Sequence, residues 1–174
     1  EKQYICTLAR DFISQGMSVF LDSSSTVEQL CPMLAEYQSL TVMTNGINNA
    51  LRLNELDNIE TYITGGRMEN GSHTVLGEMA GQLFSGFKAD VAFISCRGVA
   101  SDGCFEANHQ QALIKQNMMK NAKSTVLLFD SSKANKSYFY RLAEFSSLTA
   151  VITDKKPDDA LADAIASSGC ELLY

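Results

Sequence analysis

The sequence predicts an α/β domain with a mostly parallel sheet flanked by helices. Short apolar runs recur, and each ends in small polar residues: "MSVFLDSSST", "LTVMTNGIN", "IETYITGGR", "VAFISCRGV", "TVLLFDSSK" and "LTAVITDKK". Their apolar parts are rich in Val, Ile, Leu and Thr with weak alternation, which suits strands covered on both faces. Helically spaced stretches lie between them, and alternating strands and helices predict a parallel sheet.

The elements follow in order. Ile5, Leu8, Ala9, Phe12 and Ile13 make the stripe of a first helix, with Gly16 placed to cap its C-terminus. The run ending at Leu21 is the first strand. Val27, Leu30, Cys31 and Leu34 make a second stripe, opened by Ser25-x-x-Glu28, which has the form of a capping box. Leu76, Ala80, Leu83 and Phe87 make a third, and Ala112, Met119 and Ala122 mark the inner side of a helix near Asn108–Ala122. Asp159–Ser167 reads as a final helix leading to "CELLY", a short closing strand.

The chain has 174 residues, 45% of them hydrophobic and 20% charged, an ordinary globular composition with enough apolar mass for a substantial core. That length fits one domain or a domain with a small appendage, and residues 1–174 are read as a single domain. A net charge of -6 repels phosphate backbones and argues against this piece binding nucleic acid by itself. The five cysteines are odd in number and form no C-x-x-C pair, which predicts buried free thiols in a reducing cytoplasm. No apolar run approaches a membrane span and no signal peptide opens the chain. The first residue is Glu1 rather than Met, so an N-terminal piece is expected ahead of it. His73 and His109 have no evident carboxylate partners, so no metal site is expected, and no cofactor fingerprint or nucleophile elbow occurs.

In a parallel α/β sheet the strand ends gather along one edge, where ligands bind. Asp22, Ser23, Ser24, Ser25 and Thr26 place hydroxyl donors where a strand stops and a helix starts, a natural cradle for phosphate; the plainer reading is a helix cap with spare serines. Thr44 and Asn45 end a second run, with a turn as the plain alternative. Gly65, Gly66 and Arg67 combine a close-approaching backbone with a guanidinium that can fork onto phosphate, against a tight turn with a solvated arginine. Asp130-Ser131-Ser132-Lys133 repeats the opening theme and adds a cation. Lys115 points to the inner side of its helix, either snorkelling or facing a ligand. Four such endings on successive strands point jointly to a site for an anionic small molecule.

"GMSVFLDSSST", "LTVMTNGINNAL", "TYITGGRMENGSHTVLGEMA", "KADVAFISCRGV" and "VLLFDSSK" resemble, in order and spacing, the C-terminal sensor domain of the DeoR family of bacterial transcriptional regulators. The resemblance runs from about Gly16 to Asp154. It implies the fold of the ribose-5-phosphate isomerase, glucosamine-6-phosphate deaminase and CoA-transferase superfamily. It also implies a non-enzymatic, cytoplasmic domain that binds a phosphorylated sugar or related metabolite and needs no cofactor. A winged helix-turn-helix domain upstream would contact operator DNA, and a homo-oligomer is expected. On this reading Ser23–Thr26 cradle the phosphate, Lys133 and Arg67 supply counter-charge, Asn45, Gly65 and Gly66 line the sugar, and Arg97 and Lys115 complete the pocket.

Two positions depart from the family pattern. Ser95-Cys96-Arg97-Gly98 stands where the family often has Gly-Ala-Asp-Gly, and Gln111 stands where a glutamate often precedes the helical lysine by one turn. Both make the pocket less acidic and imply an effector more anionic, or differently hydroxylated, than the commonest ones. A phosphosugar isomerase or deaminase on the same fold is the alternative; it needs a positioned carboxylate base, for which Asp22, Glu106 and Asp130 are the candidates. A pure oligomerisation module is a third reading.

Overall fold

The computed structural model describes residues 1–174. The elements run α1 (Lys2–Ala9), β1 (Ser18–Leu21), a 3-10 segment (Val27–Glu36), β2 (Leu40–Thr44), α2 (Ile47–Asn54), β3 (Ile59–Ile63), β4 (Arg67–Glu69), β5 (Thr74–Leu76), α3 (Glu78–Ser85) and β6 (Ala89–Ile94). They continue with β7 (Gly98–Ala100), β8 (Gly103–Glu106), α4 (His109–Lys120), β9 (Ala122–Leu128), β10 (Tyr140–Ala143), β11 (Ala150–Ile152), α5 (Asp159–Ser167) and β12 (Glu171–Leu173).

All six apolar runs become strands of one seven-stranded sheet in the order β12-β11-β9-β6-β1-β2-β3, and "CELLY" supplies the seventh. Every neighbouring pair is parallel. The weak alternation has a direct cause: successive side chains point to opposite faces, and both faces are covered. Val19, Leu21, Val91 and Phe93 pack under α1 and the 3-10 segment, whereas Phe20, Ala92, Ile94 and Leu127 pack against α3, α4 and α5. Phe20 meets Phe84 of α3 edge to face at 4.9 Å. Fully burying one such side chain contributes about 1.5–3 kcal/mol.

Several local expectations are revised. Val27–Glu36 winds as a 3-10 helix rather than an α-helix, and it contains Pro32, whose missing N–H cannot serve the α-helical ladder. No Ser25 capping box forms: Ser24 Oγ accepts from the Val27 amide at 3.3 Å, and Glu28 pairs with Arg52 at 3.0 Å. The first helix ends at Ala9 and runs on as a 3-10 turn to Phe12, while Gly16 takes φ +78° in the turn before β1. On α3 the buried side is Ala80 and Phe84, leaving Leu83 and Phe87 partly exposed. On α4 Met118 is fully buried in place of Met119. Two small structures were not expected at all: the β4–β5 hairpin and the antiparallel sheet β10-β8-β7.

Candidate functional site

The chain leaves β1 and travels outward through β2 and β3, then returns to the other side of β1 at β6. This reversal opens a crevice between the C-terminal ends of β1 and β6, the place where parallel sheets bind ligands. The loop after β1 carries Asp22–Thr26, and the loop after β6 carries Ser95–Arg97. A polar cavity of about 310 Å³ lies against both.

Its floor is an ionic cluster. Asp22, 1% exposed, takes hydrogen bonds through Oδ1 from the Ser24 amide (2.9 Å) and hydroxyl (2.5 Å), and through Oδ2 from the Ser95 amide (2.7 Å). Lys115 of α4, 5% exposed, lies 3.3 Å from Asp22 Oδ2 and donates to Glu106 Oε1 (2.5 Å) and the Ser95 carbonyl (2.9 Å). Burial alone would lower the Lys115 pKa, but the charges of Asp22 and Glu106 outweigh it and hold the ammonium above the ordinary lysine value. The lysine is therefore neither a snorkelling surface group nor a free cation. It ties the end of β1 to β8 and α4, and its ammonium also forms part of the cavity wall.

The same arrangement decides what the site can do chemically. Asp22 and Glu106 share one ammonium, so each is engaged in the ionic cluster rather than standing as an isolated carboxylate. Asp130, the third carboxylate considered, is pushed up by burial, but the Ser132 hydroxyl and the Lys133 charge outweigh this and keep it below the usual carboxylate value. No group of three or more His, Cys, Asp or Glu side chains is placed to hold a metal ion.

Of the residues singled out in the sequence, Ser23, Ser24, Ser25, Arg97, Lys115 and Lys133 line the cavity, with Asp22 beneath them. Lys133 Nζ donates to Ser95 Oγ at 3.0 Å. Thr26 is fully buried and its hydroxyl finds no partner. Thr44 and Asn45 are buried behind the wall. Thr44 Oγ1 accepts from the Gly46 amide and from Asn49, whose side chain also donates to the Asp22 carbonyl at 2.7 Å. Asn45 is bonded to both backbone groups of Val75, which docks the β4–β5 hairpin. Gly65 is exposed. Gly66, at φ +148°, lies so close to Leu76 that a Cβ would sit 2.6 Å from its carbonyl oxygen. Arg67 is exposed on β4 and donates to Gln110 at 3.2 Å, outside the cavity wall.

Sequence reasoning missed part of the wall. Glu69, Ser72 and Thr74 arrive on the hairpin, and Asn108 caps α4 while donating to Glu69 at 3.2 Å. Asn70-Gly71 was the available signal, since that dipeptide between short strands marks a hairpin. Lys2 was also unmarked: its ammonium donates to Ser25 Oγ at 2.8 Å, linking the start of α1 to the serine loop.

A doubly covered parallel sheet with a polar crevice at its reversal point has the architecture of a small-molecule site in an α/β domain. The chain belongs to the DeoR family: residues 1–155 match the DeoR C terminal sensor domain. It is 34% identical over 173 residues to the HTH-type transcriptional repressor GlcR of Bacillus subtilis, covering 99% of this chain and 67% of that protein. It is 32% identical over 156 residues to the lactose phosphotransferase system repressor of Staphylococcus epidermidis, covering 88% and 62%. The chain thus spans about two thirds of the length of these relatives. In fold it resembles eIF2B beta from Chaetomium thermophilum (TM-score 0.64, 15% identity, 96% of this chain and 53% of that one). It also resembles a D-ribose-5-phosphate isomerase in complex with phospho-erythronic acid (TM-score 0.54, 16% identity, 76% and 52%). As a member of a sensor-domain family whose named relatives are transcriptional repressors, the chain is regulatory and not an enzyme. No helix is long and apolar enough to cross a membrane.

Proposed function

We propose that the crevice binds a phosphorylated sugar as effector, with the phosphate on the serine loop and the sugar toward Asn108 and Gln111. One observation carries this reading. The backbone N–H groups of Ser23 and Ser25 have no acceptor within the protein, and both residues line a cavity that Lys133 also lines. Donors at a helix start beside a lysine suit a phosphate. The sugar-related name of the lactose phosphotransferase system repressor agrees with a carbohydrate effector. The 174 residues act as one sensor domain, and in the whole protein a winged helix-turn-helix domain ahead of Glu1 contacts operator DNA. Effector binding shifts the population of domain arrangements that suit the operator, in an oligomer in the cytoplasm.

Calorimetry with matched free sugars and sugar phosphates tests the reading. The phosphates bind and the free sugars bind far more weakly. Lys133→Ala weakens phosphate-ligand binding by about 1.5–3 kcal/mol, the value of a hydrogen bond to a charged group. Lys136→Ala, which alters an exposed side chain outside the cavity wall, binds like the parent. Equal affinity for sugar and sugar phosphate would refute a phosphate site.

A further inference from the structure

Arg97 differs from every other cation at the cavity. Lys115 is held by Asp22 and Glu106, and Lys133 lies against Ser95 and 3.8 Å from Asp130. The Arg97 guanidinium has neither an ion pair nor a hydrogen bond within the protein, although it lines the cavity. Its main chain is fixed. The Arg97 amide donates to Phe105 at 2.9 Å, and the next residue, Gly98, packs so tightly that a Cβ would stand 2.2 Å from the Lys136 carbonyl oxygen. Arg97 is exposed at the edge of the cavity, and its guanidinium, with no carboxylate paired to it, is free to receive one from a ligand. Its planar fork of donors matches a carboxylate or a phosphate, and matches a neutral hydroxyl poorly.

We infer that the effector carries two anionic groups: one phosphate on the Ser23–Ser25 loop, and a second negative group, carboxylate or phosphate, on Arg97. This rests on the phosphate reading above and adds to it the class of the ligand. Both groups belong to one small molecule, because a cavity of about 310 Å³ holds one small metabolite and falls at the small end of ligand pockets.

The test is calorimetry on this chain with two matched pairs: glucose 6-phosphate against 6-phosphogluconate, and fructose 6-phosphate against fructose 1,6-bisphosphate. At least one doubly charged member binds about tenfold or more tightly than its monophosphate partner, the gain of one charge-assisted hydrogen bond. The pair that shows the gain tells carboxylate from phosphate. In Arg97→Gln the ratio within that pair falls to within about threefold, and Arg97→Lys, which keeps the charge and loses the fork, retains only part of it. Monophosphates that bind as tightly as both doubly charged partners overturn the inference and leave the phosphate site standing. An affinity ratio that survives in Arg97→Gln also overturns it. Failure of every phosphorylated ligand to bind overturns the phosphate reading and the inference together.

Discussion

Lys115 shows how much one side chain decides. It is the only cation within reach of two carboxylates that are almost wholly removed from solvent. Lys115→Met would leave Asp22 and Glu106 facing each other without compensation, and breaking such a buried cluster costs about 3–5 kcal/mol. Urea denaturation at neutral pH should show a loss of that size, and a loss below about 1 kcal/mol would show that the cluster contributes little. The pH dependence has a definite sign. In the parent the folded pKa of Lys115 lies above its unfolded value, so its contribution is complete below about pH 10 and fades only as the pH rises through the folded value.

Among the elements, α1 and the 3-10 segment form a pair whose joint role exceeds packing. Ile5, Cys6 and Ala9 of α1 are buried with Val27, Leu30, Cys31 and Leu34 of the 3-10 segment. The Cys6 thiol donates to the Thr26 carbonyl, and Lys2 donates to Ser25. The first helix therefore touches the serine loop at two points. Lys2→Ala should weaken a phosphorylated ligand by about threefold to fivefold, the modest value of a partly exposed charge, while the melting temperature stays nearly constant. Titration of the variant beside the parent checks this, and unchanged affinity would confine the phosphate contacts to the loop and Lys133. Hydrogen exchange in α1 should slow on ligand binding if the helix is clamped through Ser25.

For the molecule as a whole, charge is the informative quantity. A net charge of -6 opposes the counterion release that drives DNA binding, and the cations of the crevice are few and turned toward a small cavity. This chain alone should therefore leave a DNA fragment unshifted in a gel at physiological salt. A shifted band would place nucleic-acid contacts within these 174 residues.

The parallel sheet was legible because its cause is local. A strand buried on both faces must be apolar along its length, and a strand end beside a helix start favours small polar residues. All six such runs, from Ser18–Leu21 to Ala150–Ile152, are strands of one sheet. The serine loop, Arg97 and Lys133 were legible as members of one edge for the same reason. Other features depend on pairings between distant residues, which no short stretch encodes. The strands β7, β8 and β10 are three or four residues long and take their geometry from one another. Thr44 and Asn45 looked like ligand groups, but Asn49 and Val75 hold them in the frame. Lys115 carried two local readings, and neither included Glu106 together with Asp22. That cluster exists because the chain reverses at β1: β6, some seventy residues later, returns to its side, and the Ser95 amide reaches the carboxylate of Asp22. Local patterning is enough to write strands and their endings. Which endings share a cavity, and which charges neutralise one another there, follows from long-range sheet order and the high cost of leaving a buried charge unpaired.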